Sequence, residues 1–295
     1  MTDSASRSNR RCARRHPKRL SEVYRTAFVT GASTGLGAAF AQMLLDEGLR
    51  VFGTARDISR LESLTAANRS FTPVVLDLAD GAAAERVFSE ASESAGGFDI
   101  VINNAGYSVF GDFAQTDFAY WQAQIEVMLV NTARLAHAAL STWQKAGDGE
   151  RPKALVNVSS LAAEFPLPFQ SGYNVVKAGL SALNESLIVE TAGTSVRVID
   201  LRPGDYRTDF GSSVMRPNHC SDAASTQAVW ERFAAMMRSG PPPAHAAQCL
   251  RRALLRRHSG TLRCGRFFQV VLAPFLVRFA SLGLKRRVQA LYFGL

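Results

Sequence analysis

Val29-Thr30-Gly31-Ala32-Ser33-Thr34-Gly35-Leu36-Gly37-Ala38-Ala39-Phe40-Ala41 is the stretch whose reading decides the fold. An apolar run, Ala27 to Thr30, leads into it, and residues at helical spacing leave it. This is a strand, a glycine-rich turn and a helix start, in the order a dinucleotide-binding βα unit requires. Gly31, Gly35 and Gly37 let the chain turn tightly, let backbone approach a pyrophosphate, and let the helix pack close to the strand. The helix N-terminus offers unpaired N–H groups and a favourable dipole to that anion, which makes Ser33, Thr34 and Leu36 candidate contacts beside the glycines. A glycine trio alone also fits an ordinary loop; the flanking strand and helix favour the dinucleotide.

Outward from this turn, short β-branched or apolar runs recur at Arg50 to Thr54, Pro73 to Asp77, Asp99 to Asn103, Ala154 to Ser159 and Val196 to Leu201. They alternate with helical patterns at Gly37 to Glu47, Ala82 to Ser94, Trp121 to Trp143 and Tyr173 to Thr191. Strands feeding helical crossovers predict an α/β fold, a single doubly wound Rossmann-type domain with a parallel sheet of about seven strands and helices on both faces. A chain of 295 residues, 47% apolar, is long enough for one such domain with a sizeable core. The predicted organisation is a basic disordered extension over 1–25, the Rossmann domain over 26–266 with a substrate lid at about 210–243, and a basic amphipathic helical segment over 267–295.

The formal charge of +9 is unevenly placed. Residues 1–25 hold eight Lys/Arg against two acids and residues 250–295 hold ten against none, so the middle is net acidic. The N-terminal stretch lacks the apolar core of a secretory signal, and Pro17 discourages a helix through it. It reads as a solvated extension, with an organellar transit peptide left open. No aromatic interleaving and no recognition module accompany the basic ends, so no nucleic-acid partner is expected. Cys12, Cys220, Cys249 and Cys264 form no CxxC pair and the histidines do not cluster, which predicts a reduced, metal-free, cytoplasmic protein. The uncharged run Phe267 to Val277 is far short of the ~20 residues of a membrane span. Its basic, apolar surroundings fit contact with an anionic membrane surface, a helix packed on the core, or a dimer contact.

The second strand ends Gly53-Thr54-Ala55-Arg56-Asp57, where a dinucleotide fold meets the adenosine ribose. An acid at the strand end would take a free 2′-hydroxyl; Ala55 is small and neutral, and Arg56 offers a guanidinium to a 2′-phosphate. NADP(H) is therefore expected over NAD(H). Asp57 would weaken such a site if it pointed inward. Asp77 suits a hydrogen bond to adenine, or caps the turn that follows it.

Further features follow in fixed order: Asn103-Asn104-Ala105-Gly106, Asn131 on a helix, Ser160 after the fifth strand, Tyr173 with Lys177, and Pro203-Gly204 with Thr208. Together with TGASTGLG they resemble the short-chain dehydrogenase/reductase family, marked by TGxxxGxG, NNAG, a Ser about thirteen residues before YxxxK, and a later PG with a following Thr. The resemblance covers about residues 24–210. It implies an oxidoreductase interconverting a carbonyl and an alcohol. In that role Tyr173 passes a proton to or from the substrate oxygen, Ser160 polarises that oxygen, Lys177 holds the nicotinamide ribose, and Asn131 anchors the water chain that resupplies the proton. Asn104, Ala105, Gly106, Pro203, Gly204 and Thr208 would then border the cofactor. Val176 and Asp205-Tyr206-Arg207 depart from the family's usual residues without removing a catalytic group, and Ser159 is expected to be structural.

The residues also support this chemistry directly. Positions four apart share a helix face, so Lys177 can approach Tyr173 and, together with the positive charge of oxidised nicotinamide, favour its phenolate. Lowering a pKa of ~10 by three units takes roughly 4 kcal/mol. Met215, Trp230, Phe233, Met236 and Met237, with Val109 and Phe110, predict an apolar substrate surface or the packing of a lid helix. The substrate expected is lipophilic: a steroid, retinoid, long-chain ketone or acyl thioester. A catalytically idle dinucleotide sensor or scaffold is the alternative from another class. The resemblance implies a homo-oligomer, unless the basic C-terminal segment blocks that packing.

Overall fold

Thr26–Val29 (β1) reads TAFV, is buried throughout, and pairs in parallel with Arg50–Ala55 (β2) on one side and Ile100–Asn103 (β4) on the other. Its side chains alternate between two cores, as the period of a strand requires. Ala27 and Val29 join a cluster with Phe40, Leu44 and Leu250; Phe28 enters the opposite one, where its ring lies 5.1 Å from Phe88 and 5.2 Å from Phe98. A sheet with an apolar core on each face explains why its central strands read as continuous apolar runs.

The computed structural model describes residues 19–147, 151–217, 224–257 and 259–295. Phe71–Val75 (β3), β2, β1, β4, Lys153–Val158 (β6), Val196–Pro203 (β7) and Gly260–Cys264 (β9) form one parallel sheet in the order β3-β2-β1-β4-β6-β7-β9. Two further strands, Ser108–Val109 (β5) and Val214–Met215 (β8), pair apart from it. Helices Gly35–Asp46 (α1) and Pro243–Arg256 (α8) pack together on one side, and Gly81–Ala95 (α3) and Asn131–Lys145 (α5) on the other. Glu62–Ala67 (α2), Phe118–Ile125 (α4) and Ser171–Glu190 (α6) complete the helices of this framework. The doubly wound fold is as the sequence predicts. β9, the seventh strand, is half-exposed at the sheet edge, and its short mixed sequence carries no clear strand period.

Two boundaries differ from expectation. The sequence places residues 1–25 outside the fold, yet Leu20 and Tyr24 are fully buried against the α1 and α8 side. The Leu20 N–H donates to Glu47 Oε2 at 2.7 Å, and Glu47 Oε1 takes the Arg251 guanidinium at 2.7 Å. Two large side chains one helical turn apart are masked by the basic composition around them; residues 1–18, Cys12 among them, lie outside the described residues, as does Cys220. Second, Trp121 to Trp143 is not one regular helix: a π-helical turn, Glu126–Val130, separates α4 from α5.

Beyond the sheet lie three further helices, Ala224–Ser239 (α7), Ala273–Phe279 (α9) and Leu282–Phe293 (α10). α10 is held to α7 by Arg232, whose guanidinium donates to the carbonyls of Leu291 and Tyr292.

Candidate active site

At the C-terminal end of β1 the chain turns with Gly31 at φ +66° and Gly35 at φ +58°, backbone that side-chain-bearing residues rarely adopt. Gly37 is required for a different reason: a Cβ there would lie 2.0 Å from the Gly31 carbonyl oxygen and 2.5 Å from Asn104 Nδ2. The Asn104 amide donates to the carbonyls of Thr30 and Gly31, and the Thr30 hydroxyl accepts the N–H groups of Asn104 and Ala105. The NNAG segment thus braces the glycine turn. Thr34 precedes α1 without capping it through its side chain, so first-turn N–H groups are left for an anion. Gly31, Ser33, Thr34, Gly35, Leu36, Asn104, Ala105 and Gly106 all line one cleft, whereas Gly37 packs behind the turn.

Arg56 is exposed on the cleft wall at the end of β2, beside buried Ala55. Asp57 also borders the cleft, but its Oδ1 is engaged by the N–H and the hydroxyl of Ser59, and these bonds hold its pKa below the usual carboxylate value. Arg60, on the turn that Asp57 caps, lines the same cleft and went unpredicted, although a second cation four residues after Arg56 was the available signal. Asp77 borders the cleft while its Oδ1 accepts the Ala79 N–H at 2.9 Å, so it serves as a turn cap. These residues fit a dinucleotide, with a glycine cradle for phosphates and two guanidinium groups beyond a neutral strand end.

Ser160, Tyr173 and Lys177 converge on the cleft from the end of β6 and the first turns of α6. Lys177 is 5% exposed; its Nζ donates to the Val158 carbonyl at 2.8 Å and lies 5.4 Å from the centre of the Tyr173 ring. Burial pushes its pKa down to about 8, opposed by the negative charge of Asp200. Tyr173 moves opposite to the expectation from Lys177. Burial pushes its pKa up to about 12, a hydrogen bond with the Ser160 side chain pulls it down, and the Asp205 carboxylate raises it. Desolvation of the phenolate outweighs the favourable contact, so Tyr173 is a protonated donor in the cofactor-free protein. Pro203, Gly204 and Thr208 border the cleft opposite, with the Phe210 ring 6.0 Å from Tyr173.

Asn131 is not brought to this group. It is 1% exposed and off the cleft wall, and its Nδ2 donates to the Leu78 carbonyl at 2.8 Å. Met128 occupies the cleft side of that helix instead, packed with Tyr173 and Val176, its Sδ accepting the Tyr107 N–H. The π-helical turn resets the register just before Asn131, which spacing alone does not reveal.

Behind the catalytic group lies a buried polar network that also escaped prediction. Fully buried Asp200 accepts from Ser159 Oγ, Ser181 Oγ, Asn184 Nδ2 and Arg202 Nε. Arg202 continues to Glu164 at 2.6 Å, and Glu164 also takes Arg263. Ser159 is structural, as expected.

The cleft holds about 1870 Å³, well above the roughly 300–1,000 Å³ of a single small-ligand pocket. Met215, Phe233, Met236 and Met237 line it. Trp230, Val109 and Phe110 do not: Phe110 is fully buried with the Trp230 ring 5.2 Å away, so these pack the lid onto the body. The remaining wall comes from α9, α10 and the turn before them, through Phe268, Leu276, Phe279, Val288 and Tyr292 among others. Gln269 anchors this wall by donating from Nε2 to the half-buried Asp205 carboxylate, whose pKa desolvation raises.

A family model described as short chain dehydrogenase matches residues 25–218, more than half of the chain. A short chain dehydrogenase of Pseudocercospora fijiensis is 30% identical over 221 residues, covering 73% of this chain and 69% of that protein. The crystal structure of a short-chain dehydrogenase from Streptomyces avermitilis superposes with a TM-score of 0.77 at 28% identity, covering 86% of this chain and 94% of the other. One from Burkholderia phymatum, solved in complex with NAD, gives 0.75 at 22% identity, covering 87% and 92%.

Proposed function

The chain belongs to the short-chain dehydrogenase/reductase family, and on that premise we propose that it is an NADP(H)-preferring reductase of lipophilic ketones or aldehydes, or the reverse alcohol dehydrogenase. The observation that carries this proposal is the convergence of Ser160, Tyr173 and Lys177 on one wall of the cleft that the glycine turn opens.

A bound nicotinamide dinucleotide supplies or accepts the hydride. Gly31 to Leu36 would hold its phosphates, and Arg56 and Arg60 a 2′-phosphate; Lys177, Pro203, Gly204 and Thr208 would border the nicotinamide end. Tyr173 gives its proton to the substrate oxygen in reduction, and Ser160 steadies that oxygen by hydrogen bonding. A phenol held protonated up to about 12 carries the proton that reduction consumes at this atom. The lipophilic substrate is supported by the methionine- and phenylalanine-rich wall opposite. The idle-sensor alternative gains only from Met128, which stands where a water-anchoring polar side chain was expected.

The test is titration with NADPH and NADH, read by nicotinamide fluorescence, in the wild type, Arg56→Ala and Tyr173→Phe. NADPH should bind tighter, and Arg56→Ala should cut that preference by roughly 10- to 100-fold. Tyr173→Phe should bind cofactor normally and lose turnover of lipophilic ketones by roughly 10²- to 10⁴-fold. Tighter NADH binding would overturn the cofactor assignment, and unchanged turnover in Tyr173→Phe the catalytic one.

A further inference from the structure

Thirteen of the twenty-one large apolar side chains exposed on the described residues lie within 267–295, among them Phe267 at 72%, Phe279 at 75% and Leu291 at 75%. A concentration of this kind marks a contact surface, since scattered single residues are what an ordinary surface shows. Seven of the thirteen also line the cleft. The apolar exterior of the C-terminal segment is therefore continuous with the inner wall of the substrate site.

Charge narrows the choice of partner. From Arg232 to the C-terminus the chain carries twelve Lys/Arg and no Asp or Glu, and Arg286 and Arg287 are exposed on α10 among the apolar residues. A second copy docked through this patch about a twofold axis would set like charges against each other. An anionic lipid surface would accept the apolar side chains and neutralise the cations together. Among the described residues no helix is long and apolar enough to cross a membrane. α9 and α10 are tied to the body through Gln269 to Asp205, Gln289 to the Pro166 carbonyl, and Arg232 to the end of α10. Such a segment lies on a bilayer instead of spanning it.

We infer that residues 267–295 dock the protein on an anionic phospholipid surface with the mouth of its cleft toward the lipid. A lipophilic carbonyl substrate then passes from the bilayer into the cleft without crossing water. This last step rests on the substrate class proposed above; the docking itself does not.

The experiment is flotation of the full chain with phosphatidylcholine vesicles, with and without phosphatidylserine, at low and high salt. Binding is expected only to the anionic vesicles and should fall as salt rises. The triple variant Phe267→Ser/Phe275→Ser/Leu291→Ser changes exposed residues outside the cleft wall. It should lose vesicle binding while NADPH titration and turnover of a short, water-soluble ketone stay at wild-type values. Arg287→Glu should weaken partitioning by roughly thirtyfold, the effect of two charge units near an anionic surface. Failure of the wild type to float, or undiminished flotation of the triple variant, overturns the proposal. A solution dimer that the triple variant dissolves, with no flotation, assigns the surface to a second copy instead. If vesicles bind but NADPH does not, the functional proposal fails and the docking stands.

Discussion

Replacing Lys177 by Met should make the protein more stable at neutral pH while abolishing turnover. Lys177 is 5% exposed, and its pKa falls from 10.5 to about 8. Holding it protonated in the folded state therefore costs roughly 3 kcal/mol relative to the neutral amine. Met removes that cost at similar volume. It also removes the bond to the Val158 carbonyl, worth about 1 kcal/mol. The net expectation at pH 7 is a gain of about 2 kcal/mol, or roughly 4 °C in Tm for a chain of this size. The pH dependence carries the sign. Below about 8 the lysine is protonated in both states, so its full cost is present and the gap between wild type and variant is constant. Between about 8 and 10.5 the unfolded chain holds a proton that the folded protein has released, so wild-type stability rises with pH and the gap closes. Tyr173, raised to about 12, makes both proteins lose stability above its ordinary value of 10.0, and this largely cancels in the difference. Urea unfolding followed by circular dichroism across this range measures the gap directly. A variant less stable than wild type at pH 7, or a gap unchanged at pH 10.5, would refute the burial argument.

Two further outcomes follow from packing and the buried network. Gly37→Ala forces a methyl against the Gly31 carbonyl oxygen and the Asn104 amide, so it should cost about 1–3 kcal/mol in urea unfolding and weaken NADPH binding severely; wild-type values for both would show that the close approach is unimportant. Asp200→Asn leaves the Arg202 guanidinium, 10% exposed at its side chain, without one of its two close carboxylates, and should lower the unfolding free energy by about 3–5 kcal/mol, read as a lower urea midpoint at constant m. A loss below about 1 kcal/mol would mean that Glu164 compensates alone.

The parallel sheet was legible because its central strands are buried on both faces and so stand out as short apolar runs. The glycine turn was legible because its requirements are local: positive φ at two glycines and no room for a Cβ at a third. Tyr173 and Lys177 were legible because a four-residue spacing shares a face wherever the helix is regular. The same rule failed at Asn131, since the π-helical turn Glu126–Val130 shifts the register and presents Met128 to the cleft. Leu20 and Tyr24 were hidden by the composition of the tail that carries them.

By itself, then, the sequence determined whatever short-range chemistry dictates: the fold class, the phosphate turn, and the Ser160, Tyr173 and Lys177 set. Tertiary structure alone decided the features assembled from distant segments. Asp200 on β7 collects Ser159 from the end of β6, Ser181 and Asn184 from α6, and Arg202 from its own strand into one desolvated network. Burial sets the Lys177 and Tyr173 pKa values in directions no spacing encodes, with Asp200 of that network opposing the shift at Lys177. The C-terminal segment, an amphipathic tail in the sequence, becomes the outer wall of the cleft through long-range contacts, Gln269 with Asp205 sixty-four residues earlier, Gln289 with Pro166 and Arg232 with the end of α10. Burial and long-range partners exist only once the chain has folded, and they decide which side chains face water, substrate or lipid.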